Sequence, residues 1–489
     1  MSDRHFDFVV VGSGPGGQKA AVCAAKEGQR VALVEQDAHL GGACVHHGTI
    51  PSKSLREVAI RSLRARRHEG ASERRLEDVR IRELLGAVDD VVRSYAETVE
   101  AQMKRNGVEV IHGRASLLGP NEVGIQFRSG GTERVAARSI ILATGSRPRH
   151  PDGVRVDHEH VLDADSILKL AYLPRSLAIL GGGVIACEYA SVFAALGVEV
   201  TIIDRGERPL AFLDHEISDL LAEELAAEGC RYLGGRTASA VTFDGVSSVE
   251  VALADGETIC AEKVFVALGR TGCLESLNLE AAGLVASDRM ALEIDEMGCT
   301  AVPGIHAVGD VAGPPALATS AMEEGRRAVM HALGREPGRF GGIVPTGIYT
   351  IPELASVGST EREVRDAKGS AAVGRASFDD LARHQISGTG RGLLKVVADP
   401  DDGRLLGVHI AGEGATELVH IGQMALIAGA TLRDLIEHVF NFPTLAEAYR
   451  VAALDCLNGM LAHEAKPEPA GARAVASAGP DGEGARHVE

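Results

Sequence analysis

Residues Gly41 to Lys53 read GGACVHHGTIPSK, which sets a thiol, two imidazoles, two hydroxyls and an ammonium close together. Cysteines at both the Cys44 and Thr49 places would make a redox disulfide loop, in which a thiolate attacks a sulfur and electrons pass in pairs. Thr49 carries a hydroxyl instead, and a hydroxyl forms no disulfide. The loop is laid out for electron transfer, but its sulfur relay is missing. No other cysteine lies near Cys44 in sequence, so a relocated partner would have to be Cys23 or Cys187, brought up by folding.

Two glycine turns offer a second kind of chemistry. The apolar run Phe6 to Val11 ends in GSGPGG, a helical pattern follows, and VALVEQ reads as the next strand. Within this GxGxxG, Gly12 permits a tight turn, Gly14 lets the backbone approach a pyrophosphate, and Gly17 lets helix and strand pack closely. Ser13 and Pro15 complete the turn, and the helix start offers free N–H groups to phosphate. Glu35 closes the second strand, where a carboxylate can accept hydrogen bonds from a ribose. The pattern returns in SLAILGGGVIACEYASVFAALGVEVTIID, with Gly181, Gly183 and Ala186 in the turn and Asp204 at the strand end. A carboxylate there favours a ribose 2′-hydroxyl and opposes a 2′-phosphate. Arg205 and Arg208 follow at once; they are either solvated surface charges or an offset to that opposition. NAD(H) therefore fits the second turn more directly than NADP(H). A third signal is GIHAVGDVAG, which delivers Gly309 and Asp310 to a turn after an apolar strand. An aspartate there can accept hydrogen bonds from the ribityl chain of a flavin.

These groups need a scaffold of several domains. A chain of 489 residues exceeds one ordinary domain. The two strand–turn–helix–strand units, each followed by a strand-rich stretch ending in glycine (ILATGSRP and VFVALGRT), predict two related α/β dinucleotide folds, one inserted in the other. Residues 1–150 and 272–341 are expected to form the outer fold, and 151–271 the inserted one. Residues 50–110 read mostly helical. From Val344 the segments GLLKVVAD and LLGVHIAGE predict an antiparallel sheet with helices around Glu417 to Ala430 and Leu445 to Leu461, making an α+β domain over 342–464. The Ala-, Gly-, Pro- and Glu-rich residues 465–489 read as a disordered tail.

Bulk properties narrow the function. The chain is 45% hydrophobic and 24% charged, has no tryptophan and carries a net charge of −18, a balance that repels nucleic acid and anionic membranes. The N-terminus has no basic stretch before an apolar run, and no apolar stretch reaches a membrane-spanning length. The eight cysteines make no CxxC pair, so neither a disulfide scaffold nor a metal site is expected. Most read as reduced, buried thiols of a cytoplasmic protein.

The ordered set GSGPGG, GGxCVxxGxxPSK, ATGSRP, GGGVIACEYA, GRT, GIHAVGD and a late PTxxE segment resembles the flavin-dependent pyridine nucleotide–disulfide oxidoreductases over Asp7 to about Leu461. The resemblance implies FAD in the first fold, NAD(H) or NADP(H) in the second, and a C-terminal dimerisation domain, hence a homodimer or a higher assembly of it. It places further cofactor contacts at Gln36, Gly42, Ala43, Ala115, Thr144, Gly145, Ser146, Leu317 and Ala318 for the flavin, and at Val184 and Gly269 for the nicotinamide nucleotide. The disulfide reductases of this family use a histidine just before Pro-Thr, held by a later glutamate, to handle thiol protons. Here NFPTLAEAYR puts Phe442 in that place, and Glu447 has nothing to orient. Thr49 and Phe442 thus remove the same activity twice.

The segments HxGTIPSK followed by LRE, LAFLDHEISDLL, ELVHIGQ and NFPTLAEAYRVAAL are similar to the soluble pyridine nucleotide transhydrogenase branch of the family. That branch implies ping-pong hydride exchange between NADPH/NADP and NADH/NAD through one flavin. By the resemblance, Lys53 and Glu188 pair near the flavin N5 and the nicotinamide. Cys44 packs against the flavin with Thr49 beside it. Val184 leaves the nicotinamide open access. His46 and His47 read as polar groups near the flavin edge or in the loop, with proton donation as the alternative, and His420 as an interface or core residue. Two other readings share the cofactor motifs: a flavin NAD(P)H oxidoreductase acting on quinones or other small acceptors, and a non-catalytic flavoprotein subunit.

Overall fold

The computed structural model describes residues 4–68, 81–288, 290–338, 342–388 and 390–464; the expected tail 465–489 lies outside them. The first strand, Arg4–Val11, lies in parallel between Val31–Glu35 and Thr132–Leu142. Every residue of Val31–Glu35 is buried, as expected of a parallel strand covered on both faces. Glu109–Gly119 extends the sheet in parallel, and Glu122–Phe127 links it to Thr132–Leu142 through antiparallel pairings. The last strand, Ile305–Ala307, joins in parallel beside Thr132–Leu142.

The chain leaves this sheet and returns only after a second one. That second sheet runs in the order Arg231–Leu233, Glu199–Ile203, Ser176–Leu180, Lys263–Val266 and Val161–Leu162, all parallel. The way out and the way back pair with each other, Ser146–Pro148 lying antiparallel to Arg270–Gly272. The inserted fold predicted from the repeated turn is therefore present, entered and left through one two-stranded hinge. A five-stranded antiparallel sheet forms the C-terminal region, with Leu393–Ala398 against Leu405–Ala411 at the predicted place. Helices Ala415–Ala428 and Ala448–Glu464 cover it, and Tyr449 is fully buried between them with its hydroxyl donating to the Leu418 carbonyl at 2.7 Å.

Two features lock the three regions together. Helix Thr49–His68, which follows the Cys44 loop, packs Leu55 and Ala59 into the same core as Tyr189 and Phe193 of helix Val184–Ala195. Lys395 of the C-terminal sheet is 1% exposed, and its ammonium donates to Asp214 at 2.8 Å and to Glu216 and Glu361 at 2.6 Å each. A buried ammonium holds its charge only where carboxylates surround it this closely. Asp214 also caps helix His215–Ala227 by accepting from the Glu216 N–H. The segment LAFLDHEISDLL is thus the clasp between the inserted fold and the C-terminal domain.

The cysteine expectation needs correction. All eight are free, but only Cys187, Cys230 and Cys456 are buried; Cys260 is exposed and the other four lie half-buried. A cysteine's small apolar side chain favours the core, but Cys260 sits on the exposed face of strand Thr258–Ala261, and the four half-buried cysteines lie in loops or on helix surfaces. Among the described residues no helix is long and apolar enough to cross a membrane.

Candidate functional site

The first glycine turn is built as a cradle. Gly12 has φ +99°, and a Cβ on it would fall 2.4 Å from the Ala143 carbonyl oxygen. One on Gly17 would fall 2.0 Å from the Gly12 carbonyl oxygen, so strand and helix touch there through bare backbone. Gly14, by contrast, faces open space, with nothing within 4 Å of an added Cβ. It is the N-cap of helix Pro15–Lys26, and no side chain caps the first turn. The helix start therefore presents unpaired N–H groups to the opening, as an anion such as pyrophosphate requires. The Thr144 hydroxyl, beside Gly12, is buried without a hydrogen-bond partner. An open anion-binding turn flanked by an orphaned hydroxyl fits a large polar cofactor.

Glu35 is 5% exposed at its strand end. Its Oε2 accepts from the Ser13 N–H at 2.9 Å and hydroxyl at 2.6 Å, and its Oε1 from the Asp37 N–H at 2.9 Å. The carboxylate thus stiffens the turn. Gly41 N–H donates to the Ser13 hydroxyl at 2.9 Å, tying the Cys44 loop to the glycine turn. Gly42 (φ +60°) brings its backbone against Gly14, and Ala43 follows in the short helix Gly42–His46. A cleft of about 400 Å³ opens beyond Glu35, lined by Gln36, Asp37, Arg114, Gln126, Phe127 and Arg128. Ala115 is buried in the adjoining strand.

The other end of the cradle gathers three distant segments. The Ser146 hydroxyl donates to Asp310, and Arg270 donates to the Ser146 hydroxyl at 2.8 Å and carbonyl at 2.6 Å. Gly145 (φ +70°) faces open space beside them, and Gly309 turns the chain at φ +73° with its N–H donating to Glu324 at 2.7 Å. Leu317 is the N-cap of helix Ala318–Ala332, which has no side-chain cap either. Arg270 was not singled out from the sequence, although GRT was; only folding brings it to Asp310, at 4.0 Å.

Between the two folds stands an ion pair. Lys53 donates to both oxygens of Glu188, at 2.9 and 2.8 Å, as the resemblance implied. Glu188 also accepts from the Tyr349 N–H at 2.9 Å, and the Lys53 ammonium lies 4.8 Å from the Tyr349 ring centre. Tyr349 belongs to the C-terminal region, and nothing local in the sequence signals its role.

Cys44 stays a thiol. Burial raises its pKa, against a hydrogen bond with Thr49 and the nearby Lys53 ammonium, with Asp310 adding to the rise. Neither relocated partner reaches it: Cys187 Sγ lies 3.4 Å from the Gly182 carbonyl oxygen and Cys23 Sγ 3.9 Å from that of Arg326, and both are free. His46 Nε2 lies 2.9 Å from the Leu40 carbonyl oxygen. Burial lowers the His47 pKa, keeping it neutral at pH 7. His420 is exposed, which removes the core alternative, and its Nδ1 lies 3.0 Å from Gln423 Oε1.

The second turn repeats the first in outline. Gly181 (φ +109°) would place a Cβ 2.6 Å from the Ala267 carbonyl oxygen, and Gly183 faces open space as the uncapped start of helix Val184–Ala195. Ala186 is buried in its first turns, Val184 is half-buried, and Gly269 has φ +98°. Asp204 Oδ2 accepts from the Gly206 N–H and the Tyr232 hydroxyl, both at 3.1 Å. Arg208 donates to Asp219 at 2.9 Å, whereas Arg205 is exposed and, among the described residues, has no ion-pair partner.

Comparison with known proteins agrees with this architecture. Residues 6–325 match the pyridine nucleotide-disulphide oxidoreductase family, and residues 344–453 match its dimerisation domain. The chain is 42% identical over 462 residues to the soluble pyridine nucleotide transhydrogenase of Mycobacterium bovis (strain BCG / Pasteur 1173P2), covering 94% of this chain and 98% of that one. It is 40% identical to the protein of the same name from Photobacterium profundum, over 93% of this chain and 98% of the relative. Among solved structures, LpdA from Mycobacterium tuberculosis superposes with a TM-score of 0.84 at 27% identity, covering 92% of this chain and 99% of that one. The HOCl-induced flavoprotein disulfide reductase RclA from Escherichia coli gives 0.83 at 25% identity, with 92% and 99% covered. Two glycine cradles, a hinge-linked inserted fold and a C-terminal antiparallel domain together make this chain a member of the pyridine nucleotide-disulphide oxidoreductase family.

Proposed function

We propose that the protein is an FAD-dependent transhydrogenase that exchanges hydride between NADPH/NADP and NADH/NAD; the relatives it matches are named soluble pyridine nucleotide transhydrogenases. The observation that carries this reading is the pairing of Cys44 with Thr49 in a chain whose cysteines are all free, while both glycine cradles are intact. With no sulfur relay, a disulfide or dithiol substrate has no route to the cofactor. When bound, FAD would supply the hydride carrier between two nicotinamides.

The chain's own residues bind and orient. Gly12, Gly14 and Gly17 shape the flavin pyrophosphate site, Glu35 faces its ribose, and Asp310 is oriented by Ser146 and Arg270. Lys53, held by Glu188, would offer a positive charge to a reduced flavin, and Tyr349 fixes the carboxylate that holds it. Gly181 and Gly183 receive the nicotinamide nucleotide. Asp204, whose described hydrogen bonds use only Oδ2, receives a ribose hydroxyl, and the exposed Arg205, with no ion-pair partner among the described residues, receives a 2′-phosphate, so one site serves both nucleotides.

The active form we propose is a homodimer. Met424, Ile427, Val439 and Phe442 of the C-terminal region are each more than half exposed in the single chain, apolar side chains that a second copy would cover. The free thiols and the charge of −18 support a cytoplasmic protein with no nucleic-acid or membrane partner.

The direct test is anaerobic reduction of the flavin-loaded protein with NADPH, followed by thio-NAD. Stoichiometric reduction of the analogue is expected. Flavin reduction without onward transfer would overturn the proposal and favour an oxidoreductase acting on quinones or other small acceptors.

A further inference from the structure

Cys299, His306 and His331 come from a loop, a strand and a helix, yet one ligand atom of each lies within 4.8 Å of the other two. Cys299 and His306 face each other across an isolated antiparallel bridge. His306 lies on strand Ile305–Ala307, and His331 in the last turn of helix Ala318–Ala332. Cys299 Sγ is 3.3 Å from His331 Nδ1, and the two rings stand 6.0 Å apart at 69°.

His306 points to a ligand independently of the cluster. It is 4% exposed, and its Nδ1 is buried with no hydrogen-bond partner. Burying an unpaired ring nitrogen is costly, and native proteins do so rarely without a function. Asp295 completes the surroundings: its Oδ1 accepts from the Met297 and Cys299 N–H groups, both at 2.9 Å, and it faces the thiol.

We propose that Cys299, His306 and His331 bind one divalent transition-metal ion, with zinc the best fit. One sulfur and two imidazole nitrogens are the donors this ion prefers, at about 2.3 Å for Zn–S and about 2.0–2.1 Å for Zn–N. The 3.3 Å between Cys299 Sγ and His331 Nδ1 suits two ligands of one such ion. Water fills the fourth position. On binding, a metal–sulfur bond replaces the S–H bond of Cys299, and the proton passes to solvent. His331 is exposed, so the ion enters from water. The bound ion staples together the loop, the strand that leads into Gly309 and Asp310, and the helix whose Gly325 backs onto Gly16 beside the flavin cradle. The site lies outside the hydride-transfer machinery and does not depend on the proposed function.

The test uses the full-length, flavin-loaded protein, reduced and stripped with a chelator under argon, then titrated with Co(II). One Co(II) per chain is expected, with a near-ultraviolet thiolate-to-cobalt band and the visible bands of a four-coordinate ion, all displaced by Zn(II). Cys299→Ser should lose the near-ultraviolet band while keeping the flavin spectrum, which reports that the fold is intact. His331→Ala should weaken Co(II) binding by at least about tenfold, since losing even an outer-shell partner costs that much. Cys260→Ser, at the exposed thiol, should change nothing. Absence of the thiolate band, its survival in Cys299→Ser, or its loss in Cys260→Ser would overturn the site.

Discussion

The two glycine turns share a plan and differ at their third position. Gly12 and Gly181 both sit at positive φ against a carbonyl oxygen, and Gly14 and Gly183 both face open space. At the third position the first fold has Gly17, where a Cβ would fall 2.0 Å from a backbone oxygen, and the second has Ala186, whose Cβ is accommodated in the core. The strand ends differ too. Glu35 is held on both oxygens by Ser13 and Asp37, whereas Asp204 is held on one by Tyr232 and Gly206, with Arg205 loose beside it. A tightly determined turn suits a cofactor that stays. A looser strand end suits nucleotides that come and go and differ by a phosphate.

The largest expected effect tests how the second fold is anchored. Lys395→Met leaves Asp214, Glu216 and Glu361 without their shared cation, and should destabilise the protein by about 3–5 kcal/mol. Denaturant unfolding that shifts by less than about 1 kcal/mol would show the clasp to be dispensable. The same clasp carries a pH signature. Arg375, with Lys395, holds Glu216 down to about 2 from its ordinary 4.5. A depressed carboxylate stabilises the fold above its unfolded pKa, and that contribution is lost as pH falls from about 4.5 towards about 2. Glu216→Gln should flatten the stability profile of the protein across that window.

Next comes the third glycine position. Gly17→Val forces a side chain into backbone contact, at a strain of about 1–3 kcal/mol or more, and should empty the flavin site as read by visible absorbance. Ala186→Gly in the second fold should leave the flavin bound and cost about 1 kcal/mol, the ordinary penalty of glycine in a helix. Similar flavin content in both variants would erase the distinction between the turns.

The strand end of the second fold gives smaller effects. Asp204→Ala should raise the KM for NADH about tenfold, the worth of one hydrogen bond to a charged group, and that for NADPH less. Arg205→Ala should do the reverse, by a few-fold, as expected of an exposed charge. Equal shifts for both nucleotides would mean that neither side chain reads the ribose. Cys44→Ser should change transhydrogenation by about threefold at most, because a protonated thiol with no partner transfers no electrons. A hundredfold loss would restore a chemical role for the sulfur.

Much of the cofactor site was legible because its reasons are local. A GxGxxG turn needs glycine at fixed offsets from a strand, and the missing sulfur relay shows in one residue, Thr49. The Lys53–Glu188 pair followed from the resemblance to the family, and the geometry bears it out. Arg270, Tyr349 and Lys395 were not legible as partners. Each acts on a group far away in sequence, and no periodicity encodes such a meeting. The cysteine–histidine cluster stayed hidden for a related reason. Spacing rules look for ligands near each other in sequence, whereas Cys299, His306 and His331 are gathered by a bridge and a helix end.

The sequence by itself determined the two α/β nucleotide folds, the antiparallel C-terminal domain and the absence of a disulfide relay at Cys44. All three rest on short-range backbone geometry or on the chemistry of single side chains. Only the tertiary structure decided which groups hold Glu188 and Asp310 in place, what clasps the inserted fold, and where a thiol and two imidazoles converge. Those outcomes depend on long-range packing, which closes distances that the order of residues leaves open.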